Sequence, residues 1–205
     1  MNVLKVLKKE KSYYIYLEDY FLGILYYKDF SKLGLKAENS SEFYIEDVSD
    51  EKIELLKNEV VSKGFNKAVT IATARECSGS IIREKLKLKK FPEYAIEDVV
   101  ELMYSYNYLN DERFVESYVR SYMLSKSRRM IEKELEDRKI DVSLYQEVIS
   151  GVYRDEGLEE SDTIEKLLDK KFRGQDMSDE KVRRRAYSYL MRHGFGYDKI
   201  KLYLT

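Results

Sequence analysis

Residues 108–114 read Tyr108-Leu109-Asn110-Asp111-Glu112-Arg113-Phe114, and the reading of this stretch decides the fold. Asn110 and Asp111 are short acceptors placed just before an amphipathic run, so either one caps a helix that starts there. Upstream, Asn107 tolerates the left-handed backbone that ends a helix. Phe114, Tyr118 and Tyr122 then recur at four-residue spacing along one helical face. After a Ser125-Lys126-Ser127 break, Ile131, Leu135 and Ile140 mark a second run, and Tyr145 and Ile149 a third. The stretch reads as three short helices, too few to bury much of a core alone.

The pattern occurs three times. Moved back 49 positions, the five residues of the second and third runs become Ile82, Leu86, Phe91, Ile96 and Val100. Moved forward 55, they become Ala186, Leu190, Phe195, Ile200 and Leu204. The first-helix face recurs as Phe65, Val69 and Thr73, and 50 positions further on as Ile164, Leu168 and Phe172. All of these but Thr73 are apolar or aromatic. The step from 50 to 55 predicts five extra residues between the first and second helices of the last copy. The polar stretch Arg173-Gly174-Gln175-Asp176-Met177 is where they fit. Pro92, Asp141 and Gly194 mark the turn before each third helix: Pro92 at a helix's first position, Asp141 as a cap, Gly194 as a break.

A period near 50 residues predicts tandem units that share cores by stacking. The expected fold is mainly α: three tandem three-helix repeats forming an elongated curved array, with a small N-terminal β-hairpin or meander. Val3–Lys9, Tyr13–Leu17 and Tyr20–Tyr27 are short β-branched or aromatic runs, with a Glu18-Asp19 turn before the last. Lys28–Gly34 reads as a helical piece ended by Gly34, and Ala37–Glu42 as a polar loop. A helix over 50–63 has Ser49 or Asp50 as cap and Gly64 as stop. The expected domains are 1–63 (extension and linking helix), 64–109, 110–157 and 158–205 (the three repeats).

The chain has 205 residues, one proline, nine glycines and 43% hydrophobic content, enough for a real core. One cysteine excludes an intramolecular disulfide. No apolar run approaches the ~20 residues of a membrane span. Lys5, Lys8, Lys9 and Lys11 interrupt the early apolar residues before a signal-peptide core forms, so a cytoplasmic location is expected. Phosphate loops, zinc spacings and nucleophile elbows do not occur in the sequence. His193 sits near a helix C-terminus, where the helix dipole accounts for it. Cys77 reads as a small, partly buried thiol. No catalytic group, cofactor, metal ligand or small-molecule substrate is expected, and the chain is read as a non-enzyme.

Charge is nearly balanced, with 37 basic and 38 acidic residues, but it is unevenly placed. The second helix of each repeat is the basic one. The candidate binding residues on and beside these helices are Arg83 and Lys87; Arg128, Arg129, Lys133, Arg138 and Lys139; and Arg183, Arg184, Arg185 and Arg192. A common basic side suits an extended polyanionic partner. The bland alternative is solvated helix faces partly neutralised by Glu132, Glu134, Glu136 and Asp137. Among the 19 tyrosines, Tyr118, Tyr122 and Tyr145, with Phe114, fall on core registers. Core packing is a stronger reading of them than stacking on single-stranded bases. Tyr13, Tyr14, Tyr16, Tyr26 and Tyr27 read as contact surface, because a small sheet leaves one face open.

The run at 108–114 followed by Tyr118-Val119-Arg120 resembles the signature of the RecX regulatory proteins. So do Glu134-Leu135 leading to Lys139-Ile140, and the closing Leu190-Met191-Arg192-His193-Gly194-Phe195. Tyr16-Leu17-Glu18-Asp19-Tyr20 and Leu33-Gly34-Leu35 are similar to the front extension of longer family members. Asn107 and Lys139 stand where that family commonly has glycine, so Asn and Lys are asked to make a glycine's turn. The resemblance implies a non-enzymatic modulator of the RecA recombinase, and a monomer is expected. It would lie along the RecA–DNA filament groove, with single- and double-stranded DNA as weak or filament-associated partners, and curb strand exchange and coprotease activity. Two other readings remain open on the residues themselves: a sequence-independent DNA-binding helical repeat protein, and a helical scaffold for another protein.

Overall fold

The computed structural model describes residues 2–204. Four strands come first: β1 (Asn2–Lys9), β2 (Ser12–Leu17), β3 (Tyr20–Tyr26) and β4 (Glu42–Val48), with helix α1 (Tyr27–Lys32) between the last two. They form one antiparallel sheet in the order β3-β2-β1-β4. The expected meander is present, and β4 adds a fourth strand next to part of the expected polar loop. Glu42, Glu46 and Asp47 hid it, because an edge strand with a wet face carries charge.

Leu4, Val6, Tyr13, Ile15, Leu22, Leu25 and Phe43 form the buried inner face, and a register shift between β2 and β3 lets Leu22 and Leu25, three apart, share it. Tyr13 therefore corrects the reading of the N-terminal tyrosines as one contact surface. It is 5% exposed and packs on Phe30, with ring centroids 4.7 Å apart. Tyr14 and Tyr16 point the other way, in register with Leu7 and Lys5.

The inner face of the sheet packs on Phe30 and on Ile53, Leu56 and Val60 of α2 (Asp50–Ala72). Ser49 caps this helix, accepting from the Lys52 amide at 3.3 Å. The expected stop at Gly64 is a correction: the helix runs on for two more turns. Gly64 is buried, and a Cβ there would stand 2.9 Å from the Val99 side chain. Glycine is needed at this point for a close helix crossing rather than for a turn.

The second half of α2 packs with α3 (Gly79–Leu88) and α4 (Glu93–Ser105) around Ala68, Ile82, Leu86, Ile96, Val100 and Met103. Cys77 lies in this core at 1% exposure, and burial pushes its thiol pKa up. Pro92 is the N-cap of α4, one residue before the helical position expected for it.

The chain divides into two compact units at the Leu109/Asn110 junction. In the C-terminal unit, Asn110 caps α5 (Asp111–Tyr122), accepting from the Arg113 amide at 2.9 Å. Then come α6 (Arg128–Asp137), a short 3-10 turn (Val142–Tyr145) capped by Asp141, and α7 (Gln146–Asp155). The last triplet is α8 (Glu160–Phe172), α9 (Glu180–Arg192) and α10 (Tyr197–Leu204), with Ile164, Ala186, Leu190, Phe195 and Ile200 in its core. Its extra residues are shared between a longer connector after Phe172 and an earlier start of α9. Of the four aromatics assigned to the core in the middle triplet, Phe114 and Tyr118 are buried, whereas Tyr122 and Tyr145 are half-buried.

Turn geometry repeats even where residue type does not. The residue before each third helix's entry segment is Lys90, Lys139 or Gly194, with φ of 62°, 63° and 88°. Asn107 and Gly157, which follow the first two third helices, have φ of 57° and 59°. Asn and Lys do adopt the left-handed turn.

Candidate nucleic-acid interface

Three helices, α3, α6 and α9, carry the cations singled out from the sequence, and their ion pairs sort those cations into two groups. On α3, Arg83 grips Glu97 of α4 through Nε and Nη2 at 2.9 and 2.8 Å. That hydrogen bond holds the Glu97 carboxyl below its usual range. Lys87, one turn further, is exposed and has no carboxylate partner among the described residues.

On α6, Arg128 is part of the scaffold. Its Nε donates to Glu132 at 2.8 Å, and its Nη2 donates to Gln146 at 2.9 Å and to Ser150 at 3.1 Å. These bonds tie α6 to α7. Arg138 donates to the Glu134 carbonyl at 2.6 Å and lies over the Tyr118 ring, 4.7 Å from its centroid. Beside it, the Glu134 carboxylate accepts from Lys126 and from the Tyr118 hydroxyl, both at 2.6 Å. Burial alone raises the Glu134 pKa, but those two donors outweigh it and hold the carboxyl below its usual range. Burial and the same carboxylate push the Tyr118 hydroxyl up. Arg129, Lys133 and Lys139 are exposed and make no ion pair among the described residues.

On α9, consecutive residues step by about 100°, so Arg183, Arg184 and Arg185 fan around the helix instead of sharing a face. Arg184 and Arg185 line a cleft of about 310 Å³ together with Arg192 and Lys171, and Arg183 does not. Phe172 forms its apolar wall, with the Arg185 guanidinium 5.8 Å from the ring centroid. None of the residues lining this cleft is acidic. Lys171 was missed from the sequence because it belongs to the last turn of α8; only folding brings it to α9.

The basic helices of the C-terminal unit meet end to end. The Ser127 amide, at the start of α6, donates to the carbonyl of His193, at the end of α9, at 2.8 Å. The His193 Nδ1 lies 2.6 Å from the Ser125 carbonyl. His193 therefore joins two repeats, a role its position at a helix end did not reveal. Glu160 at the start of α8 adds to the joint, accepting from the Arg128 amide at 2.7 Å and pairing with Lys199.

Among the described residues no group of three or more His, Cys, Asp or Glu is placed to hold a metal ion, and no helix is long and apolar enough to cross a membrane.

The architecture is that of a tandem three-helix repeat protein with a fronting antiparallel sheet. Family models for the RecX second and third three-helix domains match residues 110–149 and 159–204. The regulatory protein RecX of Syntrophotalea carbinolica is 31% identical over 137 residues, which cover 64% of this chain and 87% of that one. The chain belongs to the RecX family. The regulatory protein RecX of Bacillus velezensis is 32% identical over 151 residues, covering 72% of this chain and 56% of the relative. The matched part is thus little more than half of that relative's length. A crystal structure of a regulatory protein RecX has the same fold, with a TM-score of 0.55 at 19% identity, covering 98% of this chain and 99% of that one.

Proposed function

We propose that this protein is a regulator that binds a RecA-type recombinase filament on DNA and restrains strand exchange and coprotease activity. Three repeats, taken as residues 64–109, 110–157 and 158–205, would engage the filament groove and obstruct the second duplex. One observation carries the reading. Candidate cations left without an ion pair among the described residues, including Lys87; Arg129, Lys133, Lys139; and Arg183, Arg184, Arg185, Arg192, belong to second helices or to the turn just after them, and two of those helices abut at Ser127 and His193. Unpaired charge repeated from one second helix to another suits a partner that presents repeating phosphates. Net charge near zero favours a protein surface carrying DNA over DNA alone.

The test is recombinase ATP hydrolysis on single-stranded DNA, titrated with the full chain. Hydrolysis should fall with added protein, and Arg184→Ala with Arg185→Ala should need several-fold more protein for the same effect at unchanged helicity. Hydrolysis that does not respond removes the filament reading. Direct duplex binding, falling steeply with salt and indifferent to recombinase, would install the DNA-binding repeat reading in its place.

A further inference from the structure

The filament reading leaves the N-terminal sheet without a task. A cleft of about 590 Å³ lies beside it, between β3, α2 and the turn after α3. Its walls include Tyr26, Lys63, Lys67, Lys89 and Lys90, and no carboxylate lines it. Lys63 is neutralised by the buried Asp29 and lies 4.6 Å from the centroid of the Tyr26 ring. Lys67 and Lys89 are exposed and have no acidic partner among the described residues. Lys90 reaches only the face of Tyr14, at 5.9 Å. Three cations in one concavity with no internal counter-charge are a standing electrostatic cost unless an anion occupies the site.

The cleft opens onto the outer face of the sheet. Tyr14 is in register with Ile24, and Ser12 with Tyr26, so these side chains share that face. Phe21 lies 6.2 Å from Tyr14 and 5.2 Å from Tyr16, ring centre to ring centre. Lys9 adds a further ammonium, 5.0 Å from the centroid of Tyr14. Among the described residues no element of this unit covers these rings: Tyr14, Tyr16 and Phe21 are half-exposed, and Tyr26 is exposed.

We propose that this aromatic face and the lysine cleft beside it bind single-stranded nucleic acid, with bases on the tyrosine and phenylalanine rings and phosphates among Lys67, Lys89 and Lys90. Unpaired bases offer free π-faces to such rings, whereas bases in a duplex are already stacked on one another. An acidic peptide would satisfy the lysines and leave the row of rings without a partner. The site is separate from the α9 cleft, and the proposal does not rest on the filament reading.

The test uses the full chain without recombinase, and fluorescein-labelled oligodeoxyuridylate and oligouridylate of about twenty nucleotides, read by fluorescence anisotropy. Either strand should bind, and a preference for one sugar identifies the natural ligand. Lys67→Glu with Lys89→Glu, both exposed positions, should weaken binding at least tenfold at unchanged circular dichroism. Tyr14→Ala should weaken it at least about fivefold, while Tyr14→Phe, which keeps the ring, stays near wild type. The oligonucleotide measurement needs no recombinase, and the hydrolysis measurement should be inhibited normally by the Lys67→Glu, Lys89→Glu variant, so failure here and failure of the filament reading are distinguishable. The proposal is overturned if a duplex of the same length binds as tightly, or if charge reversal at Lys67 and Lys89 changes nothing. Competition by a mononucleotide at equal concentration overturns it as well.

Discussion

The Ser127 amide and the His193 carbonyl, 66 positions apart in the chain and joined at 2.8 Å, weld the start of one repeat's basic helix to the end of the next. Gly194 makes that approach possible. Its φ is +88°, and a Cβ there would come within 2.5 Å of both Met130 Cβ and Ser127 Oγ. Gly194→Ala therefore combines an unfavourable backbone with a clash against a packed neighbour. Its expected cost is about 3 kcal/mol, measured by urea unfolding of the full chain.

At Lys90 and Lys139 the opposite substitution should help. Both are exposed residues with φ near +60° at the end of a helix. Lys139→Gly should stabilise by about 1 kcal/mol, the left-handed strain removed less the extra entropy of an unfolded glycine. A raised urea midpoint at constant slope is the expected readout.

Glu134 sets an acid limit on the middle repeat. Its carboxyl pKa is lower in the folded chain than in the unfolded one, where its partners are absent. The unfolded state therefore takes up the proton first as pH drops, so this contribution is fully present above the ordinary glutamate pKa. It is lost as pH falls through the depressed folded value. Glu134→Gln should lower stability at neutral pH by about 1–2 kcal/mol and flatten this part of the acid limb. Denaturant midpoints measured between neutral and acidic pH check both effects.

Arginines that look alike in the sequence should separate in mutants. Arg128→Ala removes the bonds to Glu132, Gln146 and Ser150, and should cost about 2 kcal/mol of stability. Arg129→Ala, one residue on and exposed, should leave stability within about 0.5 kcal/mol. In the hydrolysis assay, Arg183→Ala alone should act like wild type, and Arg184→Ala with Arg185→Ala should account for the effect of the triple substitution.

Periodicity alone determined the helices from α3 onward and the three-fold recurrence. These depend on neighbours three or four residues apart, whose side chains share a face wherever the helix goes. The same local logic failed at Gly64, since a buried glycine in a helix crossing and a terminating glycine have the same neighbours in sequence. It also failed at β4, where solvent on one face gives an edge strand the composition of a loop.

Only the tertiary structure decided which charges remain available. Arg83 is paired because Glu97 arrives from the next helix, Arg128 because Gln146 and Ser150 do, and Lys171 becomes part of a basic cleft because α8 packs on α9. An ion pair depends on distance in space, and between separate helices that distance is set by core packing rather than by position along the chain.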